Sequence, residues 1–179
     1  MRDAVKAAEG LPGGRLDPPM VVILDETANV CKISDLPQLY SHLGSRGIVP
    51  LTILQSYPQG RAVWGPDGME TLFSAATVKV FGAGLDDPRF AEDISRLIGD
   101  HDIERESQSR SKTGASTSYS TARQRILGPE EVRALPKGTA LLMVTGARVV
   151  HIRLLPWYRG PHAAAIKVEL AATDHARAA

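Results

Sequence analysis

The sequence has one cysteine, no long apolar run and almost no net charge, and each of these absences excludes a class of protein. The single cysteine, Cys31, cannot form an internal disulfide; it is expected to be an inert small side chain in a reducing compartment. No apolar run reaches the roughly 18 residues that a membrane helix needs, and no signal peptide precedes the first predicted strand. A net charge of +1 gives no field directed at nucleic acid or a membrane. We therefore expect a soluble, cytoplasmic globular protein.

The stretch 20–26 consists of five apolar residues followed by two adjacent carboxylates, Asp25 and Glu26. A short apolar run after a Pro-Pro turn predicts a strand buried on both faces, as in parallel α/β sheets. Such sheets bind ligands at the carboxyl edge of the strands, where the two acids should emerge. The pattern is typical of the Walker B motif of P-loop ATPases, in which the Asp helps to hold Mg²⁺ and the Glu orients the attacking water. A strand that merely ends in a polar turn would give the same pattern.

A phosphate-binding loop, the usual companion of these acids, is missing from the sequence. Neither Gly-Lys-Ser nor Gly-Lys-Thr occurs; residues 111–114 read Ser-Lys-Thr-Gly, in the wrong order, and residues 82–84 read Gly-Ala-Gly, without a lysine. The amides and the lysine of that loop supply most of the contacts to the phosphates. The sequence therefore contains half of an ATPase site.

Two further polar residues are candidates for the same site. Gln55 follows the second predicted strand, 48–54, where it could hydrogen-bond a γ-phosphate or the lytic water as a sensor, or simply cap a turn. Arg46 precedes this strand, where it could reach the nucleotide of a neighbouring subunit as an arginine finger, or be an ordinary surface arginine. The residues alone leave these alternatives open.

Predicted strands and helices alternate along the first hundred residues, which indicates parallel strands joined by right-handed crossovers. A short helix and an antiparallel hairpin follow a polar segment. The predicted strands are 20–24, 48–54, 77–81, 139–145 and 148–154, and the predicted helices are 36–43, 59–75 (broken at Gly65-Pro66), 88–98 and 129–135.

The polar segment 107–121 has no apolar periodicity, and nine of its fifteen residues are Ser or Thr. This composition predicts a polar loop or an exposed hairpin within 106–125, with disorder as a further alternative. Basic residues that flank or interrupt the segment could contact a phosphate backbone, although a solvated loop has the same composition. These residues are Arg105, Arg110, Lys112, Arg123 and Arg125.

Several segments in order resemble the TraG/TraD-type coupling proteins of conjugation and type IV secretion. Their order and spacing over residues 17–159 are more specific than any one of them. The segments are 18–29, 45–48, 54–59, 75–80, 97–99, 127–138 and the closing hairpin with 155–158. Proteins of this family are hexameric, membrane-anchored ATPases with a RecA-like motor domain, and they pass DNA–protein substrates to a secretion channel.

The resemblance implies roles for four residues. Asp25 would bind Mg²⁺ through water, Glu26 would activate the attacking water, and Gln55 would be the sensor that contacts the nucleotide. Arg46 would be the finger, although the family's arginine usually lies farther from the sensor glutamine than Arg46 does from Gln55. ATP and Mg²⁺ are the cofactors of the full-length family; without a P-loop, we expect this chain alone to bind neither and to be inactive.

The resemblance covers the C-terminal half of the motor domain and implies its fold. We expect an α/β fold: a partial RecA-like parallel sheet with flanking helices and a C-terminal antiparallel hairpin, without the P-loop strand. Residues 1–16 would be a flexible lead-in, 17–159 the C-terminal part of the ATPase domain, and 160–179 a frayed or weakly helical tail.

The same resemblance implies the partners. They are the missing N-terminal half or further copies of the chain in a hexamer, together with DNA and a relaxosome or accessory protein. No membrane segment is present in this sequence, so attachment to the inner face of the plasma membrane would depend on the missing anchor. The alternative is a non-catalytic module that docks a relaxase or accessory protein, or that contacts DNA.

The missing P-loop strand would lie between strands 48–54 and 77–81 in motors of this class. Without it, both strands would expose unpaired backbone edges, which are prone to pair with other chains. The two strands could pair directly, residues 163–171 could fill the gap, or the chain could associate with other chains. We expect association for the chain in isolation.

Overall fold

The chain forms two compact units, residues 1–79 and 80–179, in a computed structural model. The structure describes residues 1–30, 32–111 and 114–178; of 105–111, 114–119 and 174–178 it describes the backbone alone. Cys31, expected to be inert, and Lys112, a candidate phosphate contact, lie outside the described residues.

The first unit is built around a parallel pair of strands, with Met20 beside Ile48 at one end and Leu24 beside Thr52 at the other. The predicted break in its longest helix is confirmed, because Gly65 has a φ of 73° and Pro66 follows it. The elements are α1 (Arg2–Glu9), β1 (Met20–Leu24), α2 (Leu36–Leu43), β2 (Ile48–Thr52) and α3 (Tyr57–Ala75), with 3-10 turns at Pro12–Gly14 and Gly44–Arg46.

The core of this unit lies between the strand pair and helices α2 and α3. Leu36, Met69 and Leu72 are buried there, and partly buried apolar side chains pack against them, among them Leu24, Leu54 and Trp64. The indole N–H of Trp64 donates to the carbonyl of Ile33 at 2.8 Å, so this large side chain is buried without leaving its polar atom unpaired. The cluster fixes α3 against the carboxyl ends of the strands.

The opposite face of the strand pair is exposed, which corrects the expectation of a strand buried on both faces. Val21 and Ile23 are 63% and 65% exposed, and their neighbours across the pair, Val49 and Leu51, are 52% and 50% exposed. We call these four residues the bare face. Side chains alternate along a strand, so helices on one side cover only every second residue. The described helices of the first unit leave the second side open.

The third predicted strand, β3 (Val78–Gly82), belongs to a different sheet. It pairs with β6 (Thr139–Val144), which pairs in turn with β7 (Val150–Arg153), whereas β1 and β2 form a two-stranded sheet. Residues 163–171, the candidate filler, lie in helix α6 (Ala163–Ala178). Direct pairing of 48–54 with 77–81 and filling by 163–171 are therefore both wrong, and association of the isolated chain stays a prediction.

The second unit contains two antiparallel hairpins. The first includes the polar segment, and its strands pair from Asp100 with Arg125 to Ser111 with Gly114. Of the alternatives predicted for this segment, the hairpin agrees with the described backbone. In the second, Thr139 pairs with Arg153. The elements are α4 (Pro88–Ile98), β4 (Asp100–Ser111), β5 (Gly114–Arg125), α5 (Pro129–Arg133), β6 (Thr139–Val144), β7 (Val150–Arg153), a 3-10 turn (Trp157–Arg159) and α6 (Ala163–Ala178).

Both ends of the chain contain helices. In the segment expected to be a flexible lead-in, Ala8 of α1 is fully buried, and the amide of Leu16 donates to the carbonyl of Arg46 at 2.9 Å. The tail, expected to be frayed or weakly helical, contains the 16-residue helix α6, in line with the helical alternative. Of the described helices, none is both long and apolar enough to cross a membrane.

An arginine–carboxylate pair ties the base of the β4–β5 hairpin to α4. Arg125 donates to both carboxylate oxygens of Glu92 at 2.6 Å and to the hydroxyl of Ser95 at 3.2 Å. Ser95 is fully buried and donates to the carbonyl of Leu127 at 2.6 Å. The hydrogen bonds from Arg125 lower the pKa of Glu92 to about 2.

We expect Glu92→Gln to reduce the acid sensitivity of the second unit. A carboxyl whose pKa is lowered in the folded state stabilises that state above its unfolded pKa of 4.5, and this contribution is lost as the pH falls towards 2. The midpoint of urea unfolding should therefore fall less in Glu92→Gln than in the wild type between neutral pH and about pH 3. The control is Asp93→Asn, on the exposed side of the same helix; equal acid sensitivity in Glu92→Gln and the wild type would contradict the pairing.

Candidate functional site

The carboxyl ends of β1 and β2 bring Glu26 and Gln55 into contact. The strands are parallel and in register, so the residues that follow Leu24 and Thr52 emerge at the same edge. The amide of Ile53 donates to the carbonyl of Leu24 at 2.9 Å, which extends the pairing beyond the strand ends. At this edge the side-chain amide of Gln55 donates to Oε1 of Glu26 at 2.7 Å. The structure thus joins two of the four predicted site residues.

Glu26 has a left-handed backbone conformation, with a φ of 45°, and is the one non-glycine among the described residues with a positive φ. This conformation costs about 1–3 kcal/mol in a residue other than glycine, so the surroundings must enforce it. The carbonyl of Glu26 accepts from the amides of Asn29 and Val30 at 2.8 and 3.0 Å. The fully buried Thr27 donates from its hydroxyl to the carbonyl of Leu24 at 2.7 Å. These bonds fix the turn that carries the carboxylate.

Asp25 is exposed next to Glu26. Among the described residues, no group of three or more His, Cys, Asp or Glu side chains could hold a metal ion. Mg²⁺ commonly keeps several waters and takes only one or two protein carboxylates together with the phosphates of a nucleotide. One exposed carboxylate, that of Asp25, therefore fits a magnesium ion that is held mainly by a nucleotide, and this role stays a prediction.

Gln59 is a site residue that the sequence reasoning missed. It lies on the first turn of α3, where its backbone amide donates to the hydroxyl of the N-cap Ser56 at 3.4 Å. Its side-chain amide donates to Oε1 of Gln55, also at 3.4 Å. No helical spacing predicts this contact, because Gln55 precedes the N-cap Ser56 and lies outside α3.

Arg46 lies away from this contact, because it precedes β2 whereas Gln55 follows it. Its guanidinium donates to the carbonyl of Gly14 at 3.3 Å and lies 3.4 Å from a carboxylate oxygen of Glu9. Within the chain, Arg46 therefore ties the N-terminal segment to the start of β2. A finger role would be exerted on a neighbouring subunit and stays a prediction.

The basic residues of the hairpin differ in their availability for phosphate. Arg125 is engaged by Glu92 on two oxygens, so it is not a free cation. Arg123 lies 3.9 Å from a carboxylate oxygen of Asp102, a loose pair that is largely exposed. The side chains of Arg105 and Arg110 are not among those described. Arg125 is therefore no longer a candidate phosphate contact, whereas Arg123 remains one.

The comparison with known families matches residues 19–137 to the family described as the TraM recognition site of TraD and TraG. Because the match covers more than half of the 179 residues, the chain belongs to this family. It is therefore a homologue of the C-terminal domain of TraG/TraD-type coupling proteins, as the sequence predicted. The comparison with curated proteins gave no match.

Solved structures of the bacterial conjugative coupling protein TrwB are similar to this chain in fold. The unbound monoclinic form of TrwBdeltaN70 is 24% identical with a TM-score of 0.68, over 86% of this chain and 35% of that one. TrwB with the ATP analogue ADPNP is 23% identical with a TM-score of 0.64, over 86% and 34%. TrwB with ADP and Mg²⁺ is 24% identical with a TM-score of 0.64, over 84% and 34%.

These structures confirm the predicted fold class, an α/β fold with part of a RecA-like sheet. The chain spans about a third of the length of the TrwB structures that it matches. At this level of identity the likeness shows the fold alone, and the activity of the whole protein does not follow from it.

We expect Thr27→Val to destabilise the first unit by about 0.5–1.5 kcal/mol, the net value of one hydrogen bond. The substitution keeps the shape of the buried side chain and removes only its bond to the carbonyl of Leu24. The matched control is Thr71→Val, since the exposed Thr71 makes the same kind of bond to the carbonyl of Asp67 at 2.8 Å. Urea unfolding measures both; equal losses would show that the buried bond has no special role.

Proposed function

We propose that this chain is the C-terminal part of the motor domain of a conjugative coupling ATPase. It supplies the water-activating and sensor residues to a nucleotide site whose phosphate-binding loop lies outside this sequence. The observation that carries the proposal is the 2.7 Å bond between Gln55 and Glu26 at the carboxyl edge of the parallel strands. Open α/β sheets bind their ligands at this edge.

Each residue at the edge has a distinct part in this proposal. Glu26 orients the attacking water, and Gln55 holds the carboxylate on one side while its amide reaches the water or the γ-phosphate. Asp25 contributes to Mg²⁺ through a coordinated water. The proposal that ATP and Mg²⁺ are the cofactors is supported by TrwB, whose structures include complexes with an ATP analogue and with ADP and Mg²⁺.

The bare face supports the proposal that further chain completes the fold. Parallel strands are normally covered by helices on both faces, and a two-stranded pair is hardly stable alone. Val21, Ile23, Val49 and Leu51 are all at least half accessible to water. We propose that this face is covered by the N-terminal half of the motor domain, within a hexamer at the cytoplasmic side of the plasma membrane.

Recognition of an accessory protein is a second candidate function, favoured by the description of the matching family as a TraM recognition site. In this proposal the chain docks a relaxosome component or another accessory protein, with or without catalysis. Contact with DNA through the hairpin is a weaker candidate for this binding function, because Arg125 is neutralised by Glu92. The two candidate functions are compatible in one coupling protein.

We expect no measurable ATP hydrolysis by this chain alone. The amides and the lysine of a P-loop supply most of the phosphate contacts, and the sequence has no such loop. The measurement is phosphate release by the purified chain, with Glu26→Gln prepared in parallel. Turnover that is present in the wild type and absent in Glu26→Gln would contradict the expectation.

When the chain is joined to a motor half that contains a P-loop, Glu26→Gln should bind ATP but hydrolyse it about 10²–10⁴-fold more slowly, because the amide cannot accept a proton from water. The control is Glu70→Gln, an exposed glutamate on α3. Phosphate release and nucleotide affinity are measured on the same samples. Wild-type turnover in Glu26→Gln would show that Glu26 has another role.

A further inference from the structure

A chain of side-chain hydrogen bonds runs from Glu26 into the first turn of α3. The amide of Gln55 donates to Glu26 at 2.7 Å, and the amide of Gln59 donates to the carbonyl oxygen of Gln55 at 3.4 Å. The first of these bonds is short and involves a charged acceptor, whereas the second is long for an N–H···O bond. The carboxylate is thus held firmly by Gln55, and Gln55 is held more loosely by Gln59.

The charge on Glu26 fixes which atoms donate and which accept in this series of hydrogen bonds. An ionised carboxylate only accepts hydrogen bonds, so Gln55 must turn its amino group towards Glu26 and its carbonyl oxygen towards Gln59. Gln59 must then present its own amino group to that oxygen. Turning either amide over would place two acceptors against each other. The orientation of Gln59 therefore depends on a charge two side chains away.

The side-chain carbonyl oxygen of Gln59 lowers the stability of the fold. This oxygen is buried and has no hydrogen-bond partner among the described residues. A buried acceptor without a donor destabilises the folded state, and an apolar side chain of similar size at the same place avoids that cost. Packing alone therefore does not explain a glutamine at this position, whereas the hydrogen bond from its amino group to Gln55 does.

We propose that Gln59 is a positioning residue that orients Gln55 and, through it, the carboxylate of Glu26. Its importance for hydrolysis rests on the proposed role of Glu26 as the residue that orients water. Gln59 acts through Gln55, so its loss should weaken turnover without abolishing it. Nucleotide affinity should not change, since Gln59 contacts neither Glu26 nor the exposed Asp25 in the hydrogen bonds of the site.

The test is Gln59→Leu in the full chain, with Gln38→Leu on the exposed side of α2 as the matched control. The side-chain amide signals of Gln55 are recorded by NMR at one neutral pH. In the wild type the amide protons of Gln55 should exchange slowly with water, because the amino group is bonded to Glu26; Glu26→Gln, which weakens that bond, assigns the effect. In Gln59→Leu the exchange should be faster, because an unheld amide rotates among several orientations.

Stability separates a positioning role from a structural one. Gln59→Leu removes a buried acceptor without a partner, so its urea midpoint should equal or exceed that of the wild type. A loss of stability beyond that of Gln38→Leu would assign Gln59 a structural role and overturn the proposal. An unchanged exchange rate of the Gln55 side-chain amide in Gln59→Leu would overturn it as well.

The rate provides the last comparison, in a motor that combines this chain with a P-loop half. Gln59→Leu should lower kcat about 2- to 10-fold, the rate equivalent of one hydrogen bond, with KM for ATP unchanged. A changed Gln55 signal with an unchanged kcat would support the positioning and overturn its importance for hydrolysis, whereas Glu26→Gln tests the role of Glu26 separately. An unchanged signal refutes the positioning whatever the rate.

Discussion

The parallel pairing of β1 with β2 is the contact on which the candidate site depends. Its register places Leu24 beside Thr52, and one further hydrogen bond joins Ile53 to Leu24. A slip of one residue would turn every side chain of one strand to the other face and separate Glu26 from Gln55. The buried cluster of Leu36, Met69 and Leu72 holds the register, because it packs against one face of the pair.

The positions of most elements and the contact between Glu26 and Gln55 could be predicted from the sequence. Apolar runs with polar ends mark parallel strands, and the ends of neighbouring strands lie together as a geometric rule. The role of Gln59 could not be predicted, because the direction of its hydrogen bond depends on the charge of Glu26, far away in sequence.

The bare face and the separate sheet of β3 show a different limit of sequence reasoning. Val21 and Ile23 are as apolar as Val22, and the sequence does not show that the described helices of the first unit leave them uncovered. Strand pairing is likewise decided by contacts between distant segments, so β3 pairs with β6, some sixty residues later, and not with β2. Local pattern predicts that a strand exists but not which strand it joins.

Ion pairs formed by the fold are a third feature that the sequence does not reveal, and they decide which charges are available to a ligand. Arg125 counts as a cation in the sequence but is neutralised by Glu92 in the fold, so a cluster of basic residues overstates the charge available to DNA. At the strand edge, Asp25 and Glu26 are both exposed, and Gln55 donates one hydrogen bond to Glu26 without neutralising its charge. Two carboxylates repel a nucleotide unless a cation and phosphate donors accompany it. In the function that we propose, the chain therefore orients the reaction, and the phosphate-binding loop of the other half supplies the tight binding of ATP.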